Sequence, residues 1–227
     1  MSLRSVAAWL LLSATVAPLE AQTSRSNPTD LQAWYSTDVE VELTRRWELS
    51  LQYRFRMVDG ASRYRGSYFY GTMQYELISW LDAVGDYRLG LVEEEAVGHR
   101  FGLGAQATYD VGDLRLYARA KVQHRSRSEL EDNEYVTDER TLVRTRFRAR
   151  HPLSRNVDLL LSTEPYFTFE GEERLDNIRN QVELRWEYSQ RKRLDLFYIY
   201  RPNFRKNYDR TFHVVGVGLH FEVRPFR

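Results

Sequence analysis

The stretch Trp47-Glu-Leu-Ser-Leu-Gln-Tyr-Arg-Phe-Arg-Met57 alternates without a break. Trp47, Leu49, Leu51, Tyr53, Phe55 and Met57 hold the odd positions, and Glu48, Ser50, Gln52, Arg54 and Arg56 the even ones. Successive side chains of a strand point to opposite faces, so this segment is a strand with one oily and one ionic face. Working outward, residues 31–43 carry the same phase: Leu31, Ala33, Tyr35, Val39, Val41 and Leu43 alternate with Gln32, Ser36, Asp38, Glu40 and Glu42. The pattern returns with Phe69 to Leu77, Leu81 to Leu91 and Phe101 to Val111, and shifts to even positions after the Val111-Gly112-Asp113 turn. Further segments run over about 139–150, 157–169, 176–188, 194–201 and 211–223, eleven in all. Most have the length that crosses a bilayer obliquely.

Alternation alone does not say which face is wet. A soluble antiparallel barrel shows the same period with its oily face inward. Connection length separates the two. Turns at 44–46, 79–80, 112–113, 151–156 and 189–193 are short, and they alternate along the chain with mostly longer loops at 58–63, 93–99, 126–138 and 202–210. Aromatic placement agrees: Trp47, Tyr109, Trp186, Tyr188 and Phe221 fall near the turns, while Tyr35, Phe55, Phe101, Phe167, Phe169 and Tyr200 fall near the loops. Two aromatic girdles flanking an apolar band are the mark of a barrel in a membrane.

Composition narrows the function classes. The 227 residues hold 33 basic and 32 acidic side chains, so the chain lacks the basic excess of a nucleic-acid binder. It has no cysteine, which removes disulfides, thiolate metal sites and thiol catalysis. At a mean hydropathy of -0.59 it is too polar for a helical membrane bundle. Residues 1–21, with Arg4 ahead of an apolar run from Val6 to Leu12 and small residues ending at Ala21, read as a secretory signal peptide. Residues 22–30 then form a short N-terminal segment and 31–227 a single barrel domain. Because the last strand runs toward the periplasm, eleven strands would leave the mature N-terminus outside the cell. Bacterial barrels have even strand numbers, so the expectation is an all-β, transmembrane, antiparallel up-and-down barrel of 10 to 12 strands.

The polar face is arginine-rich. Arg144, Arg146, Arg148 and Arg150 form one ladder, and Arg115, Arg119 and Lys121 another. With Arg54, Arg179, Arg185, Glu164 and Glu183 they are the residues expected to line the lumen. Guanidinium pairs with carboxylate in a planar, bidentate geometry that suits a crowded enclosure. Acidic runs at Glu93 to Glu95, 129–139 and 170–173 fall in the loops, where lipopolysaccharide is an expected neighbour.

Catalytic and metal chemistry leave fainter traces. His124 and Ser126 stand two apart on the outward phase of one strand. This spacing resembles that of outer-membrane phospholipase A and makes a lipid acyl hydrolase the alternative function. No orienting third group or oxyanion hole accompanies the pair. His99, His151 and His213 stand alone, and His213 and His220 lie on opposite faces of the last strand, so neither a metal nor a cofactor is expected. Gly102, Gly104, Gly216 and Gly218 read as close-packing positions of strands.

Glu48 to Arg54, Arg144 to Arg148 before His151-Pro152-Leu153, Glu164 to Phe167, Asn177 to Asn180 and His213 to Phe221 together resemble a bacterial family of outer-membrane barrels defined only as a domain of unknown function. The resemblance implies a signal peptide, one barrel, an outer-membrane address and no known catalytic residue. Outer-membrane lipids and the barrel assembly machinery are then the expected partners, and a structural element or narrow pore the expected role. A soluble periplasmic lipid-binding barrel is the third reading.

Overall fold

The computed structural model describes residues 29–92, 97–125, 130–131, 134–135, 140–169, 174–204 and 211–224. All regular structure among them is β. Six long strands come first: β1 (Thr29–Glu42), β2 (Trp47–Val58), β3 (Arg63–Ile78), β4 (Leu81–Val92), β5 (Gly98–Val111) and β6 (Leu114–Arg125). A two-residue pair, β7 (Leu130–Glu131) and β8 (Glu134–Tyr135), interrupts the long connection that follows. Five more long strands complete the chain: β9 (Arg140–Ser154), β10 (Val157–Thr168), β11 (Leu175–Ser189), β12 (Lys192–Pro202) and β13 (Thr211–Val223). β1 begins at Thr29, so the strand takes the last two residues of the expected 22–30 segment.

Eleven strands form one closed barrel in which sequence neighbours pair antiparallel. The ring closes through β1 and β13, which pair in parallel from Thr29 opposite Thr211 to Val41 opposite Val223. This corrects the expectation of an even count. An odd number of staves sends the first and last strands in the same direction, and a parallel ladder, slightly weaker per residue, still removes both open edges. No twelfth stave and no segment threaded through the lumen occurs among the described residues. β1 starts beside the start of β13, on the long-loop rim.

Tight turns at residues 79–80, 112–113, 155–156 and 190–191 and a four-residue turn at 43–46 make up one rim. Gly112 takes positive φ at the first position of its two-residue hairpin, the conformation that matches strand twist, and Arg191 takes positive φ at the second position of its own. In the 43–46 turn the Thr44 hydroxyl accepts from the backbone N–H of Arg46 at 3.2 Å and of Trp47 at 3.0 Å. Three expectations about connections change, the first being the turn expected at 189–193, which is only residues 190–191. β9 runs on to Ser154, so the turn expected at 151–156 shrinks to 155–156. The β2–β3 connection, expected among the long loops, is only residues 59–62. It crosses in three consecutive positive-φ residues, Asp59, Gly60 and Ala61.

The oily face is outside. Leu103 is 71% exposed, Tyr109 70%, Phe101 57% and Phe147 56%, and the other odd-phase apolar side chains of β1 to β5 follow them outward. The inside is mostly polar: Gln32, Gln123, Arg88, Arg125, Glu164 and Glu183 are buried there. Among the described residues the buried apolar clusters are small, Trp34, Ile199 and Val214 with Phe197, and Tyr68 and Val92 with Tyr70. A soluble lipid-binding barrel needs the opposite arrangement, an oily lumen and a wet exterior. The exterior band between aromatic rims is that of a membrane-spanning barrel.

Candidate functional site: a guanidinium-lined chamber

The strand register brings the arginine ladders side by side. Arg115, Tyr117, Arg119 and Lys121 of β6 face Arg150, Arg148, Arg146 and Arg144 of β9, residue for residue. Like charges directly opposite one another destabilise a sheet, so each cation must find an anion or remain in excess.

Most find one. Arg144 donates to Glu164 Oε1 at 2.9 Å and to Gln123 Oε1 at 2.6 Å. Lys121 pairs with Asp86, which Arg100 also approaches at 3.7 Å. Arg185 bridges Glu183 at 2.8 Å and Asp195 at 3.1 Å. Arg119 settles for the neutral Gln106 Oε1, at 2.9 Å from Nε and 2.6 Å from Nη2. The carboxylates are then used up. Glu164 Oε2 accepts from the Tyr166 hydroxyl at 3.0 Å and lies 3.9 Å from Arg179, and Glu183 Oε2 accepts from Gln181 at 2.8 Å. Arg146 and Arg148 are left with no carboxylate at ion-pair distance among the described residues. The Arg148 Nε is buried without a hydrogen-bond partner.

These groups surround an internal chamber of about 350 Å³. Among the described residues its wall holds twelve Lys or Arg side chains against six Asp or Glu, in a chain whose overall net charge is only +1. Toward the loop rim lies a layer in which aromatic rings alternate with guanidinium groups. Arg56 sits 4.1 Å from the Trp34 ring and 4.2 Å from the Tyr68 ring and donates to the Tyr70 hydroxyl at 2.9 Å. Arg54 lies 5.0 Å from Trp34 and 5.1 Å from Tyr70. Cation–π contact in a desolvated layer holds flexible arginines in place without neutralising them. Trp34 is fixed in turn, its Nε1–H donating to Gln32 Oε1 at 3.0 Å.

Of the residues expected in the lumen, Arg54, Arg119, Lys121, Arg144, Arg146, Arg148, Glu164, Arg179, Glu183 and Arg185 stand on the chamber wall. Arg115 and Arg150 do not. They lie toward the turn rim, where Arg115 pairs with Asp110 at 2.7 Å and Arg150 with Asp158 at 2.7 Å. Arg56, Arg88, Arg100, Arg193 and Asp86 also line the chamber and were not singled out in the sequence, although continuing the phase of β2, β4, β5 and β12 reaches each of them. Trp34 carried a visible signal, an aromatic at a polar-phase position.

Ser126 and most of the acidic loop residues, at 93–95, 129, 132–133, 136–139 and 170–173, lie outside the described residues. His124 is exposed on the outer face, as its phase predicts, and its Nδ1 lies 3.2 Å from the Thr141 hydroxyl. No carboxylate contacts His124 among the described residues. The close-packing glycines are explained: a Cβ on Gly104 would meet the backbone of Ala120 and Lys121, and one on Gly216 would enter the Phe197 ring.

A family model described as a protein of unknown function, DUF2490, matches residues 31–212. Among solved structures, that of the NanC porin in a rhombohedral crystal form superimposes with a TM-score of 0.57 at 11% identity, covering 86% of this chain and 99% of the porin. None of the curated proteins matches the chain.

Proposed function

The chain belongs to the DUF2490 family of proteins of unknown function, and from that premise we propose that it is a narrow, anion-preferring, non-enzymatic pore of the bacterial outer membrane. A signal peptide of residues 1–21 delivers it across the inner membrane, and outer-membrane lipids and lipopolysaccharide surround it there. The barrel assembly machinery inserts it. The fold it shares with the NanC porin supports the membrane address, and the oily exterior supports the need for one.

The observation that carries the anion preference is the surplus of twelve cations over six carboxylates on the chamber wall. A ring of fixed charge in a narrow, low-dielectric conduit attracts counter-ions and repels co-ions. Arg146 and Arg148, left without carboxylates, are the groups a passing anion meets undiluted. The test is single-channel recording of the mature protein in planar bilayers under a salt gradient. Arg146→Glu with Arg148→Glu shifts the reversal potential toward cation preference; an unchanged reversal potential overturns the reading.

A further inference from the structure

At the turn end of the interior four carboxylates stand against three arginines, Arg45, Arg46 and Arg224, so the cationic excess of the chamber is gone. Glu42, Glu48, Glu76 and Asp82 line a separate mouth there. The β1–β2 register sets Glu42 directly opposite Glu48, a like-charge pair that favours a cation nearby. Arg224, 3.1 Å from Glu42, answers part of that demand.

Just inside this mouth the parallel seam places Asp38 of β1 opposite His220 of β13, with Glu40 two residues further along the same inward face. One ligand atom from each of the three lies within 4.8 Å of the others. His220 is 5% exposed, and its Nδ1 is 2.7 Å from Asp38 Oδ1, which accepts the ring N–H. Asp38 is itself held by the Ser50 hydroxyl, which donates to Oδ2 at 2.8 Å. In this tautomer the Nε2 lone pair is buried, makes no hydrogen bond and faces Glu40 Oε2 at 3.4 Å. The two face one another across a gap that a metal ion bonded to both would fill.

We propose that this gap is a zinc-class divalent metal site, with His220 Nε2 and Glu40 as ligands, Asp38 orienting the imidazole, and chamber water completing the shell. The spacing fits. Zinc bonds of about 2.1 Å to nitrogen and carboxylate oxygen, spanning a 3.4 Å separation, subtend an angle of about 110°, the tetrahedral value. An imidazole ligand selects zinc-like ions over calcium or magnesium, and a carboxylate on the far ring nitrogen is the usual support for such a histidine. Arg193 opposes the site, with its Nη2 3.6 Å from Glu40 Oε2 and 3.1 Å from His220 Nδ1. It competes with the metal for the Glu40 carboxylate. The ion joins the first strand to the last, a clasp across the barrel's parallel pair that binds only the closed form and so stabilises it.

The experiment uses the untagged mature chain, refolded in detergent, stripped with EDTA and titrated with zinc against a chromophoric chelator. One zinc ion per chain is expected, with a rise in the temperature at which the folded band converts to the unfolded band on gels. His220→Gln and Glu40→Gln each weaken binding by about tenfold or more. Glu40→Gln keeps the Asp38–His220 hydrogen bond, so it reads ligation apart from folding. Arg193→Gln removes the competing cation and tightens binding. The proposal falls if the wild type takes up no zinc saturably, if Glu40→Gln binds as the wild type does, or if Arg193→Gln binds more weakly. None of these readouts depends on conductance, so the pore reading stands or falls separately.

Discussion

Arg144 and Glu164 face one another inside the barrel with both charges buried, the guanidinium Nη2 donating to Oε1 at 2.9 Å. Tyr166 takes the other carboxylate oxygen at 3.0 Å, and its ring lies 4.5 Å below the Arg144 guanidinium. Glu164 is thus the acidic hub of the most cationic part of the wall. Removing one partner of a buried ion pair leaves the other charge uncompensated.

Glu164→Gln is therefore expected to destabilise the folded barrel by about 3–5 kcal/mol, measured by urea-induced unfolding in detergent or lipid vesicles. Arg144→Met with Glu164→Leu, which removes both charges together, costs far less. Equal losses in the single and double variants would show that the pair is not the source of the effect.

Trp34→Ala opens the aromatic layer. The indole is 1% exposed and supports Arg54, Arg56 and Arg179, whose guanidinium carbons lie 5.0, 4.1 and 5.4 Å from its centroid. Its loss costs about 3–5 kcal/mol of stability and frees the arginines that it holds on the chamber wall. Single-channel conductance is expected to rise above that of the wild type; a conductance that stays the same would place the constriction elsewhere.

Leu103 sits mid-strand on β5, 71% exposed on the outer face. In lipid, Leu103→Arg costs about 2–4 kcal/mol near the bilayer midplane. Recovery of folded, heat-modifiable protein from vesicles should fall accordingly. In a water-exposed barrel the same change would be neutral or would improve solubility, so the variant tests the oily exterior directly.

The strands and their phase were legible because both are local. The alternation from Trp47 to Met57, or from Leu114 to Val122, depends only on which neighbours water or lipid touches. The position of Arg146 among unneutralised charges was half legible. Its face followed from the period, but its lack of a carboxylate follows from Glu164 and Glu183 being engaged by Arg144 and Arg185, a matter of register between strands. The parallel closure was not legible at all. Nothing in residues 29–42 marks residues 211–223 as their partner, and the expectation of an even count pointed away from it. For the same reason His220 was weighed only against His213, on the opposite face: Asp38 and Glu40 reach it through a pairing that spans nearly the whole chain. Arg115 and Arg150 were placed on the right face and missed the chamber because period two fixes orientation but not depth.

Since the ring is sealed between its earliest and latest staves, no partially synthesised version of it can be complete. Every chain released before residue 211 would carry two unpaired edges, one on β1 and one on whichever strand came last, each open to pairing with a second molecule. Contacts of such great sequence separation also form slowly. Whatever guides insertion must therefore shelter the leading strand through the whole of assembly.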